Sequence, residues 1–191
     1  MTTIGFIRHG VTEWNQLGKA QGMSNISLNE VGKVQALALG ERLKQEEKWD
    51  IIASSDLSRA NETATIIGQK LELPVSILDE RFREMNGGKI EGTTEQERIQ
   101  KWGENWRSLD LGMETSEQAT KRMIACLHEL IETNYGKRIL VVSHGAVIGM
   151  TLRALMPDKF QKTFLDNTSV TILKFDENTW DCLLYNCTKH I

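Results

Sequence analysis

The sequence predicts an α/β fold in which a mostly parallel sheet lies between two layers of helices. Short apolar runs of strand length alternate with longer amphipathic segments, which is typical of parallel strands joined by crossover helices. The strand-like runs are almost continuously apolar, as expected for strands covered on both faces. Two of these runs end in a histidine followed by a glycine, at His9 and at His144.

Length and composition fit a single domain over residues 1–191, with 40% apolar and 26% charged residues. The formal charge of −3 does not favour a nucleic-acid partner. No apolar run approaches the ~20 residues that a membrane span needs, so we expect no membrane association. The N-terminus does not resemble a signal peptide. Cys126, Cys182 and Cys187 include no C-x-x-C pair, which favours reduced thiols and a cytoplasmic location.

The chain begins with a predicted strand, loop and helix. Residues 2–8 form a near-continuous apolar run, which indicates a buried strand. Glycine, serine and asparagine residues within 10–28 predict an ordered loop. Asn29 is a suitable N-cap for a helix that runs to about Lys44. We expect one broad face of this helix to be buried, formed by Val31, Val34, Ala38, Leu39 and Leu43.

Two more strands and a helix follow. Residues 50–54 predict a second strand, and the polar segment 54–60 opens a helix that Pro74 stops. Residues 75–78 predict a third strand, which leads into the charged segment 79–84.

The next predicted elements are two helices. Residues 94–108 have helical character and carry Trp102 and Trp106, which we expect to be core residues rather than a substrate platform. Ser116 is a suitable N-cap for a second helix over 117–133.

The strongest strand prediction is 138–143, a β-branched and apolar run that ends at His144. A helix is expected from there to about Leu155. Two late strands are predicted near 168–175 and 180–186.

A set of reactive side chains follows the predicted strand ends. Because the carboxyl ends of parallel strands meet at one edge of a sheet, we expect the set to converge there. Gly10 allows the chain to turn sharply and to approach a ligand closely. The members of the set are Arg8, His9, Arg59, Glu84 and His144.

Two guanidinium groups beside two imidazoles suit a tetrahedral dianion, because guanidinium forks bind phosphate oxygens bidentately. A neutral imidazole can act as a nucleophile, and adjacent arginines favour its neutral form. Glu84 is a candidate proton donor to a leaving oxygen if burial or a nearby carboxylate favours its protonated form.

The motif Arg8-His9-Gly10, followed by Thr12, Trp14 and Asn15, resembles that of the histidine phosphatase superfamily, the phosphoglycerate-mutase-like proteins. Further segments resemble the family pattern in the same order, across nearly the whole chain: Gln21-Gly22, Leu28-Asn29-Glu30-Val31-Gly32, Ser54 to Ala60, Arg83-Glu84 and Ser143-His144-Gly145.

This resemblance implies a phosphoglycerate-mutase-like fold and a small phosphorylated substrate, without a metal or other cofactor. It implies that His9 becomes phosphohistidine and that Glu84 is the general acid. It also implies that Arg8, Arg59 and His144 hold the phosphoryl group. The substrate-binding residues that it implies are Thr12, Asn15, Gln21 and Gly22.

The chain departs from the family pattern at Asn29, which stands where the family has threonine, and at two further places. Ile90 stands where the family usually has tryptophan, and residues 112–116 match a glycine-glycine-glutamate-serine segment only roughly. The stretch 93–113 is short compared with true mutases, which favours a phosphatase of the small, broad-specificity branch.

Three alternatives stay open. A cofactor-dependent phosphoglycerate mutase would transfer phosphate between positions of one substrate. A metal-assisted hydrolase would use His9 and His144 as ligands. A non-catalytic phosphoryl-binding regulatory module would share the fold without the chemistry.

Overall fold

A computed structural model describes residues 1–46 and 48–191, and its centre is a six-stranded sheet. The strand order is β3-β2-β4-β1-β5-β6. The strands are β1 (Thr2–Arg8), β2 (Ile51–Ser54), β3 (Val75–Leu78), β4 (Arg138–Ser143), β5 (Val170–Asp176) and β6 (Thr179–Cys187). The first four run parallel, and β5 and β6 add an antiparallel edge. The predicted α/β class with a mostly parallel sheet is therefore confirmed.

The pairing of β1 with β4 fixes the position of the two histidines. Arg8 lies opposite Ser143 in the parallel register, so His9 and His144 leave adjacent strands at the same level. Ser54 of β2 pairs with Val142 of β4, which brings the next loop to the same edge. The carboxyl ends of three neighbouring strands thus form one rim.

Six helices connect or cover the strands in the described part of the chain. They are α1 (Glu13–Gln16), α2 (Glu30–Lys44), α3 (Ser58–Leu71), α4 (Glu95–Trp102), α5 (Ser116–Thr133) and α6 (Gly145–Leu155). One face of the sheet packs against α5 and α6, where Phe6 meets Met123 and Val147. The other face packs against α2 and α3, where Leu39 and Ile67 belong to the core. The sheet therefore forms the middle of three layers, as the sequence predicts.

The apolar face predicted for α2 is wrong at its N-terminal end. Asn29 caps the helix as expected, accepting from Gly32 N–H at 2.9 Å. Val31 and Val34 are exposed, whereas Ala36, Leu39 and Leu43 are buried. The reason is that small residues at 32, 36 and 40 bring the helix close to the loop after β1 and to α3.

The helix predicted over 94–108 is shorter than expected. It ends at Trp102, because Gly103 adopts φ +83 and breaks the helical path. A short 3-10 turn follows at Trp106–Ser108, where Trp106 is buried between the guanidinium groups of Arg98 and Arg107. Thr115, rather than Ser116, is the N-cap of α5, and its side chain accepts from Gln118 N–H.

Within the described residues, the helices are too short or too polar to cross a bilayer. The three cysteines are free thiols, and Cys126 is the buried one.

Candidate active site

His9 is the first residue after β1 and is almost completely buried. Its Nδ1 lies 2.7 Å from the carbonyl oxygen of Gly10, which can only accept a hydrogen bond. The ring therefore carries its proton on Nδ1, which leaves Nε2 with a free lone pair. Burial lowers the pKa of His9 well below the ordinary 6.5, and the charges of Arg59 and Arg8 lower it further. His9 is thus a neutral imidazole with one nucleophilic nitrogen.

The charges of two guanidinium groups act on this ring, that of Arg59, which is fully buried, and that of Arg8, which is half-buried. Arg8 Nη1 donates to the carbonyl of Leu165 at 2.5 Å, while its buried Nε has no hydrogen-bond partner among the described residues. Arg59 donates to the carbonyls of Gly22 and Ser24 at 2.7 and 2.8 Å. Burial lowers the pKa of Arg8 and lowers that of Arg59 to about 10, so both remain charged near neutrality.

Neither Arg8 nor Arg59 forms an ion pair with a carboxylate in the described structure. Buried charges in proteins are normally paired or bound to a counter-ion, because isolated burial is costly. Carboxylates act on both groups only at longer range, with Glu84 common to the two, so Arg8 and Arg59 are suited to bind an anion.

His144 lies beside His9, with ring centroids 5.2 Å apart, and is completely buried. Its Nδ1 accepts from Arg59 Nε at 3.1 Å, so the neutral ring has its proton on Nε2, 2.9 Å from Ser55 Oγ. Burial lowers the pKa of His144 well below its ordinary value, and Arg59 adds to this. Both ring nitrogens already have protein partners, and His144 does not line the cavity described below.

Glu84 lies in the loop after β3 and reaches across to the start of α6. Its Oε1 accepts from Met85 and Val147 N–H at 3.0 and 2.9 Å, and its Oε2 accepts from Ala146 N–H at 3.0 Å. Two of these three donors, the N–H groups of Ala146 and Val147, lie at the N-terminus of α6, where a negative charge is favoured. They differ from the apolar or carboxylate surroundings that the sequence analysis considered.

The loop that carries Glu84 is fixed by two arginines. Arg83 makes a bidentate contact with Asp56, at 2.7 and 2.5 Å, which ties this loop to the loop after β2. Arg122 of α5 donates to the carbonyls of Arg81, Arg83 and Glu84 at 2.8, 2.7 and 2.9 Å. The Arg122 side chain is held in turn by Glu114, at 2.8 Å. Sequence reasoning missed Arg122, because no local motif marks a contact that spans 38 residues.

These groups surround a cavity of about 350 Å³ at the rim of the sheet. Its wall includes most of the residues that the sequence singles out: Arg8, His9, Asn15, Gln21, Gly22, Arg59 and Glu84. Lys19, Thr163 and Phe164 also line it and were not predicted. Lys19 adds a third cation to the wall, although nothing in its sequence context distinguishes it from an ordinary surface lysine.

Thr12 does not line the cavity and is completely buried. Its hydroxyl lies 2.9 Å from Gln21 Oε1 and 3.1 Å from Asn15 Oδ1. Its oxygen also accepts from Asn15 N–H and caps α1. Thr12 thus orients two cavity residues, whereas the sequence analysis expected it to bind substrate directly.

The turn at Gly10 packs against two helices, α2 and α3. A Cβ at this position would lie 2.6 Å from the carbonyl oxygen of Gly32, so the turn after β1 needs glycine to lie against α2. Gly10 N–H also donates to Thr63 Oγ1 of α3 at 3.0 Å.

A second unpredicted support lies before β5. Asn167 Nδ2 donates to the carbonyl of His9 at 2.9 Å, and Thr168 N–H donates to the carbonyl of Arg8, also at 2.9 Å. Thr168 has φ +55, which is unfavourable for a β-branched residue. This segment holds the backbone of Arg8 and His9 from the antiparallel side of the sheet.

In residues 1–46 and 48–191, no three His, Cys, Asp or Glu side chains lie close enough together to share a metal ion. The arrangement has the parts of a phosphoryl-transfer site: a neutral imidazole, a cationic anion site and a carboxyl group on one cavity.

Comparison with known proteins supports this reading. A profile of the histidine phosphatase superfamily (branch 1) matches residues 4–188. The uncharacterized phosphatase PhoE of Bacillus subtilis (strain 168) is 36% identical over 100% of this chain and 97% of its own length. A metal-independent phosphoserine phosphatase of Arabidopsis thaliana is 33% identical over 94% of this chain and 79% of its own.

Among solved structures, a phosphoserine phosphatase from Entamoeba histolytica in complex with 3-phosphoglyceric acid has a TM-score of 0.84. It is 34% identical, and the match covers 100% of this chain and 99% of that one.

Proposed function

The chain belongs to the histidine phosphatase superfamily (branch 1), and we propose that it hydrolyses phosphomonoesters through a phosphohistidine intermediate on His9. The observation that carries the proposal is the neutral, buried His9 ring between two guanidinium groups without carboxylate partners in the described structure. A phosphate dianion supplies the charge that Arg8 and Arg59 lack. It also presents an electrophilic phosphorus to Nε2.

The first step transfers the phosphoryl group from the ester to the protein. The Nε2 lone pair of His9 forms a bond to phosphorus while the bond to the leaving oxygen breaks. Arg8 and Arg59 bind the phosphoryl oxygens and stabilise the charge that develops on them. The negative charge of the bound phosphate dianion favours the protonated form of Glu84, against the three N–H contacts that favour its carboxylate. Protonated Glu84 donates its proton to the leaving oxygen, so an alcohol departs and Glu84 becomes a carboxylate.

The second step returns His9 to its starting state. The Glu84 carboxylate accepts a proton from water, and the water oxygen attacks phosphorus as the bond to Nε2 breaks. Inorganic phosphate leaves, and Glu84 is again protonated. His144 supports both steps through its contact with Arg59, and a direct contact with the phosphoryl group requires it to exchange one of its present partners.

The test is a rapid quench with a phosphate-labelled aryl ester. We expect label to accumulate on the protein in an acid-labile form and to map to His9. The His9→Ala variant should take up no label and should release phosphate at least about a thousandfold more slowly. A fully active His9→Ala variant would contradict the proposal.

The same assay separates the alternatives. A chelator should leave the rate unchanged, whereas a rate that falls and recovers on adding zinc would favour the metal-assisted hydrolase. With 3-phosphoglycerate, release of inorganic phosphate supports a phosphatase, and formation of 2-phosphoglycerate without phosphate release supports a mutase. Stoichiometric phosphate binding without turnover of any ester would support a regulatory module.

A further inference from the structure

A second cavity, of about 550 Å³, adjoins the first on the side of Glu84. The two share Gln21, Gly22, Glu84 and Ala146 in their walls. We call the second cavity the acid-side groove. Its wall includes none of Arg8, His9 and Arg59, so it begins where the anion site ends.

The wall of the acid-side groove is largely apolar. Its apolar residues lie in three segments between helices and strands and at the start of α6: Ala20, Met85, Ile90, Met113 and Ala146. Four polar side chains without charge also line it: Gln21, Asn86, Thr115 and Ser116.

The charged side chains on the groove wall are two glutamates, Glu84 and Glu114, and both accept hydrogen bonds from the protein. Glu114 is bound by Arg122 at 2.8 Å, and Glu84 accepts its three backbone N–H groups. No lysine or arginine lines the groove among the residues that the structure describes. The cations lie in the neighbouring cavity, at Arg8, Lys19 and Arg59. A second anionic group on a substrate therefore has no cationic partner on this side.

The direction of phosphoryl transfer connects the two cavities. In an in-line displacement, the leaving oxygen departs on the side opposite the attacking nitrogen. A general acid must lie within hydrogen-bond reach of that oxygen. Glu84 is on the wall of both cavities, so the carbon skeleton attached to the leaving oxygen extends beyond Glu84.

We propose that the acid-side groove binds the leaving group of the substrate, and that this protein prefers phosphomonoesters of uncharged, apolar alcohols or phenols over esters whose alcohol carries a carboxylate. This inference rests on the proposed phosphatase function and deepens it. The groove desolvates the alkyl or aryl group of the substrate, while Arg8 and Arg59 hold the phosphoryl group.

The test uses straight-chain alkyl phosphates from ethyl to hexyl, with phosphate release as the readout. Their leaving oxygens have nearly equal basicity, so the chemistry stays constant along the series. We expect kcat/KM to rise about threefold for each added methylene, as burial of apolar surface predicts. Phosphoserine and 3-phosphoglycerate should give values at least about tenfold below that of butyl phosphate.

The variant Met113→Lys places a cation in the groove at a partly exposed position. It should flatten the dependence on chain length and should raise kcat/KM for 3-phosphoglycerate, while Met113→Leu keeps the wild-type pattern. Val34→Lys is the matched control, because it makes the same kind of change at an exposed site of α2 outside both cavities. Its selectivity should equal that of the wild type.

The outcomes separate the two proposals. Equal kcat/KM from ethyl to hexyl phosphate would overturn the groove assignment and leave the phosphatase proposal intact. The rise of kcat/KM with chain length could instead survive in Met113→Lys and be lost in Lys19→Met. The leaving group would then bind beside Lys19 in the first cavity, and this result would also overturn the groove assignment. Absence of phosphate release from every ester would overturn the proposed function and the groove assignment together.

Discussion

The Nε atom of Arg59 lies 3.1 Å from Nδ1 of His144, and in this contact the guanidinium group can only donate. The contact fixes the proton of His144 on Nε2 and directs it to Ser55 Oγ. The other two nitrogens of Arg59 hold the carbonyls of Gly22 and Ser24. One buried side chain therefore orients the second histidine, shapes the loop of the cavity and supplies charge to the anion site.

We expect Arg59→Lys to lower kcat/KM by about a hundredfold or more, even though the charge is kept. A lysine has one nitrogen and cannot donate to His144, Gly22 and Ser24 together. Steady-state kinetics with an alkyl phosphate check the prediction. Arg107→Lys, at an exposed position away from the cavity, is the matched control and should retain full activity. Equal activity of the two variants would contradict the role given to Arg59.

We expect Arg122→Lys to slow hydrolysis according to the leaving group. Arg122 does not line the cavity but binds the carbonyls of Arg83 and Glu84, so its loss misplaces Glu84, the proposed general acid. Alkyl phosphates, whose alcohols need a proton to depart, should lose about a hundredfold in kcat. A nitrophenyl ester, whose phenolate leaves readily, should lose less than about tenfold. An equal loss for both esters would indicate a general structural defect instead.

The stability of the fold should depend on pH through His190. Burial, with help from Arg42, lowers the pKa of His190 to about 4. As the pH falls, His190 is therefore protonated near pH 6.5 in the unfolded chain, before it is protonated in the folded protein. The stability that neutral His190 contributes is complete above pH 6.5 and is lost as the pH falls toward about 4. The lowered pKa values of His9 and His144 act in the same direction.

Thermal melts between pH 7 and pH 4.5 test this dependence. The melting temperature of His190→Gln should fall less over this range than that of the wild type. His128→Gln changes an exposed histidine of α5 and should follow the wild-type curve. If His190→Gln also follows that curve, His190 does not contribute to the acid sensitivity.

The turn between β5 and β6 offers a gain in stability. Glu177 and Asn178 both have positive φ, +47 and +62, as in a type I′ turn. Asparagine tolerates this conformation better than glutamate, so Glu177→Asn should raise the melting temperature by about 1–4 °C. Glu177→Gln removes the same charge without the conformational preference and should give little change. Equal shifts for the two variants would assign the effect to charge.

The central part of the site could be predicted because it depends on local patterns. Apolar runs of strand length place Arg8, His9 and His144 at strand ends, and parallel pairing then brings these ends together. Glu84 and Arg59 follow neighbouring strands for the same reason. The resemblance to the superfamily added the chemical roles, which the comparisons support at the level of family and phosphatase activity.

The supporting residues could not be predicted because they act across long separations in sequence. Arg122 reaches the loop of Glu84 from α5, and Asn167 reaches His9 from the far end of the chain. The orientation of Thr12 depends on how the loop closes over it, which no periodic pattern encodes. The prediction that Val31 and Val34 are buried is wrong for a similar reason. Which surface of α2 is buried depends on the contacts of its glycines with distant segments.

The contact between Gly10 and Gly32 limits how this protein can be altered. Each glycine leaves room for the backbone of the other segment, so a methyl group on either one forces α2 away from the turn after His9. A random-mutagenesis screen for activity should therefore recover almost no substitutions at residue 32, although that residue is outside the cavity wall. Engineers who wish to retarget the enzyme have freedom around the groove but should keep the first turn of α2 intact.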